Sequence, residues 1–175
     1  MKRWLVFMLA WVIVSFLHEG MHAVTAAAFD EYKAFHVRPY GLEVEYRTPV
    51  NERTGAKWAV VSGSSNLATI MLGYALLIPA RRVAAGRSLL FKGGIYYLTL
   101  LSLLLDPLNL SVGPFLYGGD ANGIAVGLGI NRYIIQALFL LILLANRELV
   151  AQTLLPTYGV GTKSVLLRPW LPQRI

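Results

Sequence analysis

Residues 4 to 29 read WLVFMLAWVIVSFLHEGMHAVTAAAF, an apolar run whose only ionisable side chains are His18, Glu19 and His22. At 1.5 Å per helical residue a run of this length crosses about 30 Å of hydrocarbon. Charge at membrane depth is costly, so an ionisable group there is a functional hypothesis by default. Both the fold and the chemistry turn on this stretch.

Outward from it, the 175 residues are 56% hydrophobic and 14% charged, far from the balance of an ordinary soluble domain. Three further runs are long enough to span a bilayer: Trp58 to Pro79, Ser88 to Leu105 and Gly123 to Ala145. The Ser88 run is the weakest, because Lys92 and Gly93-Gly94 interrupt its first turns. The expected fold is an all-α polytopic membrane protein of about four transmembrane helices. The chain contains no internal repeat or soluble second domain; residues 1–146 read as one membrane-embedded domain and residues 147–175 as a basic tail with three prolines. Within that tail, Leu166 to Leu171 is expected to lie on the membrane surface.

The first run follows Lys2-Arg3, as a signal peptide would, but its apolar part is too long and ends in the His-Glu-His cluster, so it reads as a true span. The net charge of +7 fits basic loops beside anionic headgroups better than nucleic acid, which is not an expected partner. With no cysteine in the chain, any metal must be held by His and carboxylate.

His18 and His22 are four residues apart and share one helical face, with Glu19 about 100° round. Two imidazoles at i and i+4 can converge on one Zn²⁺, and the neighbouring carboxylate can take a proton from an activated water, as in HExxH metalloproteases. The plainer reading is two polar side chains satisfied by neighbouring helices. His36, the third histidine, reads as a surface group.

Residues 30 to 57 carry five acidic and five basic side chains and cannot be a span. Leu42, Val44 and Tyr46 alternate with Glu43, Glu45 and Arg47, while Phe35 and Val37 alternate with His36 and Arg38 before Pro39-Tyr40-Gly41. This period of two predicts a small β-hairpin between helices one and two. Its open edge would suit strand addition to an extended peptide, or it simply packs on the bilayer surface.

The second run carries Ser62-Gly63-Ser64-Ser65-Asn66 in its first half, small and polar residues that allow close helix contact. After the third run comes Asp106-Pro107-Leu108-Asn109-Leu110, then a loop free of Lys and Arg up to Asp120. A chain leaving the membrane after helix one returns to that side after helix three, so Asp120 and His22 share a side. Asp120 is therefore the candidate third ligand, with helix N-cap as its plainer role and Asp106 as the rival ligand.

These residues resemble the site-2 protease family of intramembrane zinc metalloproteases. Three motifs appear in order: His18-Glu19-Gly20-Met21-His22, then Gly63-Ser64-Ser65-Asn66, then a loop with Asn109 and Pro114 that leads to Asp120. The family usually has Leu-Asp-Gly where this chain has Gly119-Asp120-Ala121, and Pro where it has Ser64. The resemblance implies a three-helix catalytic core with an intramembrane hairpin and Zn²⁺ held by His18, His22 and Asp120. It also implies Glu19 as general base, Asn66 near the substrate or oxyanion, and a transmembrane protein as substrate. The implied setting is a multi-pass place in a prokaryotic cell membrane, with regulated release of membrane-bound factors as the task.

Two other readings compete. A prenyl-protein-processing type of membrane metalloprotease takes a Glu as third ligand, and after Glu52 the chain offers only Glu148, on the wrong side by parity. A non-proteolytic scaffold would keep the fold but has no need of Glu19. Orientation divides the signals: Arg81 to Arg87 and the Lys2-Arg3 terminus point to the cytoplasm by the positive-inside rule, whereas the resemblance places the active-site side there.

Overall fold

In the computed structural model, residues 3–39, 41–116, 118–161 and 164–172 are described. Lys2 and Tyr40 lie outside them. Helix α1 (Arg3–Ala28) is followed by strands β1 (Tyr32–Arg38) and β2 (Gly41–Tyr46), then by α2 (Lys57–Leu77) and a short helix α3 (Ala80–Ala85). Helices α4 (Leu89–Ser111), α5 (Gly119–Leu128) and α6 (Arg132–Leu149) complete the bundle. Four stretches, Arg3–Ala28, Lys57–Leu77, Leu89–Phe115 and Arg132–Thr157, are long and apolar enough to cross a membrane.

The side chains are distributed inside out relative to a soluble bundle. Leu9, Phe16, Val24, Leu67 and Met71 are exposed, while Ser65, Asn66, Thr69, Thr99, Ser102 and Asp106 are buried. A surface of this kind is suited to lipid, with polar groups turned inward to bond one another.

The third and fourth helices differ from the sequence reading. Asp106-Pro107 suggested an end at Leu105, yet α4 runs on to Ser111 with Pro107 inside it. Proline has no N–H for the carbonyl of residue 103. That carbonyl accepts instead from Asn146 Nδ2 at 2.8 Å, and the Tyr74 hydroxyl donates to Asn146 Oδ1 at 2.5 Å. A side chain from α6 thus replaces the missing backbone donor, and the helix survives its proline.

The run from Gly123 to Ala145 is two helices, not one. Helix α5 stops at Gly129, left-handed at φ 67°, and α6 starts after Asn131, whose side chain accepts from the Tyr133 N–H at 2.9 Å. A glycine stop followed by an Asn cap is a strong boundary, and the aliphatic run around it masked the signal. Nor does the last helix close at Asn146-Arg147-Glu148: α6 reaches Leu149 and continues through a π turn (Val150–Leu154) to Thr157. The boundary placed at residue 146 falls within that helix, and the Arg81 to Arg87 stretch contains a short helix rather than only a loop.

Helix α5 lies against α2 in the opposite direction. Asp120 at its start meets Asn66, and Gly127 near its end stands on the backbone of Ala59. A Cβ on Gly127 would overlap Ala59, and one on Gly123 would overlap the Ser62 side chain, so glycine sets how closely α5 approaches. The segment before α5 therefore dips back into the bundle and delivers Asp120 to the depth of Asn66.

The hairpin has the expected strands. Phe35 faces Val44, His36 faces Glu43 and Arg38 faces Gly41, with a register irregularity between Tyr32 and Ala34. Val44 is buried and Glu43 exposed, as the alternation requires. Phe35 stacks on Phe16 of α1 with ring centroids 6.3 Å apart. Since Phe16 lies twelve residues before the end of α1, the hairpin runs down the helix for about 18 Å.

Candidate metal centre

Helix α1 places His18 and His22 one turn apart on the face toward α2 and α4, with ring centroids 4.9 Å apart. From α5, Asp120 reaches both: its Oδ2 lies 3.3 Å from His18 Nε2 and 3.2 Å from His22 Nε2. One ligand atom from each of the three residues lies within 4.8 Å of the other two.

The donor set fits a divalent metal. Ligand atoms 2.0–2.1 Å from a tetrahedral Zn²⁺ stand about 3.3 Å apart, the separation both histidine–aspartate pairs have. Each imidazole is also aimed through its other nitrogen. His22 Nδ1 donates to the Val61 carbonyl at 2.8 Å, and His18 Nδ1 lies 3.1 Å from Asp106 Oδ1. The Val61 bond fixes the His22 ring, and the Asp106 carboxylate stands beside His18 Nδ1, so that Nε2 of each ring is turned to Asp120.

Asp106, the rival ligand, sits on the far ring nitrogen of His18, where the Thr69 hydroxyl donates to its Oδ2. It is outside the three-residue group and orients His18. Asn66 donates from Nδ2 to Asp120 Oδ2 at 3.0 Å, and its place is at the carboxylate. Ser65 was read only as a small residue, yet its Oγ is 2.9 Å from His22 Nε2. Ser62, Ser65, Asn66 and Thr69 recur at helical spacing along one buried face of α2, a polar stripe that the sequence did display.

Glu19 borders a cavity of about 550 Å³ together with His18, Asp106, Gly41 and Leu42, so the start of β2 reaches the depth of the histidines. On the same strand, Val44 offers its backbone N–H to Glu19. Tyr46 packs edge-on against Trp58 at 5.6 Å; burial pushes its phenol up, and the carboxylates of Asp120 and Glu19 add to the shift. His36 pairs with Glu45 at 2.8 Å on the hairpin, away from the three-residue group. Glu148, the carboxylate that a prenyl-processing site would need, is held by Arg147 at 2.5 Å and by the Trp170 and Leu171 N–H groups near the far end of α6.

No family model, curated protein or solved structure matches the chain.

Proposed function

We propose that the chain is an intramembrane zinc metalloendopeptidase that hydrolyses a peptide bond in or near a transmembrane segment of a protein substrate. The observation that carries this reading is the convergence of His18, His22 and Asp120 between helices suited to a bilayer, with Glu19 on the adjoining cavity. The site-2 protease resemblance of the same residues supports it.

When bound, Zn²⁺ supplies Lewis acidity toward a water and a peptide carbonyl. The protein does the rest. His18 and His22 would hold the metal through Nε2, since the Val61 carbonyl takes the other nitrogen of His22 and the Asp106 carboxylate faces that of His18. Asp120 contributes the third donor, and Asn66 keeps that carboxylate in place by donating to the same oxygen. Glu19 accepts a proton from the attacking water and returns it to the departing amine. The cavity admits water and substrate beside Glu19, while strand β2 offers backbone groups to a locally unwound chain.

Cleavage of a reporter transmembrane substrate in proteoliposomes tests the proposal. Glu19→Gln should lower the rate by about 10²- to 10⁴-fold, the usual worth of a general base, while leaving bound zinc unchanged. Equal cleavage by wild type and Glu19→Gln would remove Glu19 as the general base, and no cleavage by either in the presence of zinc would favour the scaffold reading.

A further inference from the structure

The end of the bundle opposite the metal centre carries a second cavity, of about 760 Å³, between the start of α1, the start of α4 and the chain after α6. Arg3 lies fifteen residues before His18 on α1, so the two ends are about 22 Å apart. Two cations, Arg3 and Lys92, line the cavity together with Tyr96, Tyr97 and Tyr158, and among the described residues no carboxylate lines it. Two positive charges on one cavity, with no acid among the described residues that line it, make a site for an anion.

The surroundings identify the kind of anion. Helix α4 begins here, and its first N–H groups add partial positive charge beside Lys92. Just outside, Leu89, Leu90 and Phe91 are exposed by 84%, 53% and 57%. Arg3 and Lys92 sit near the ends of helices long enough to span a membrane, where a bilayer would place its headgroups. A phosphate in the cavity with acyl chains along Leu89 to Phe91 satisfies the charged and apolar parts together.

We infer that this cavity binds the phosphate of an anionic phospholipid headgroup, through Arg3 and Lys92. Lys92, which weakens the third apolar run as a span, then has a role at that depth.

Native mass spectrometry of the full chain from neutral-detergent micelles, titrated with phosphatidylglycerol, phosphatidylcholine or inorganic phosphate, tests this. Wild type should hold phosphatidylglycerol in preference to phosphatidylcholine. Arg3→Gln/Lys92→Gln should weaken that binding about thirtyfold, at roughly one headgroup charge interaction per lost cation. Arg3→Lys/Lys92→Arg should retain it, and the lipid-free thermal midpoints of all forms should agree, which separates lost binding from lost folding. Equal retention of the two lipids, or an unchanged affinity in the Gln pair, overturns the site. Displacement of the lipid by inorganic phosphate at equal concentration overturns the lipid assignment.

Discussion

At the scale of single residues, the arrangement separates two aspartates that look alike in the sequence. Asp120 shares one oxygen with both Nε2 atoms, whereas Asp106 meets only His18 Nδ1 and Thr69. Asp106→Asn should therefore keep the metal but weaken its affinity by about 10- to 100-fold, the usual effect of losing an outer partner, as read by chelator competition. Loss of all zinc in Asp106→Asn would make Asp106 a ligand. Glu31, 5% exposed, carries a second prediction. The Lys57 ammonium, and then the Thr48 hydroxyl and N–H, hold its carboxyl below the usual range. A pKa lower in the folded than in the unfolded chain gives stability that is complete above the ordinary glutamate range and lost as pH falls through the folded value. Wild type should thus exceed Glu31→Gln in thermal stability at pH 7, and the gap should begin to narrow below about pH 4. A gap that is constant with pH would remove the ionic contribution.

At the scale of elements, α4 depends on a donor from another helix. Asn146→Ala leaves the Leu103 carbonyl buried and unpaired, which should cost about 1–3 kcal/mol in denaturation from mixed micelles. In a Pro107→Ala background the backbone N–H returns, so the same Asn146→Ala change should cost much less. Equal costs in the two backgrounds would show that Asn146 does not substitute for the proline's missing donor. This arrangement explains why the third helix was misjudged from sequence. A proline after an aspartate ordinarily ends a helix, and nothing local tells that a residue thirty-nine positions later takes over the bond. The hairpin, by contrast, was legible because its period of two is a local property. The division of the fourth run at Gly129 to Asn131 was written in cap residues that the surrounding aliphatic residues obscured.

At the scale of the whole molecule, the helices were readable because length and apolar content decide whether a segment can span a bilayer. The His18–Glu19–His22 cluster was readable because i, i+4 spacing places side chains on one helix face. Asp120 is reached by parity and by the resemblance, but its depth is not: that depends on the glycine contact of α5 with α2. The role of Ser65 was hidden for the same reason, since its partner lies forty-three residues away on another helix.

The proposed function rests on His18, His22 and Asp120, from α1 and α5, together holding one metal ion. The most direct test is elemental analysis of the detergent-purified chain after zinc reconstitution, with Asp120→Ala beside wild type. About one zinc per chain is expected in wild type and little or none in Asp120→Ala, with both still helical by circular dichroism. A folded wild-type chain that holds no zinc after reconstitution, or an Asp120→Ala chain that binds it as well as wild type, would rule out the three-residue metal site.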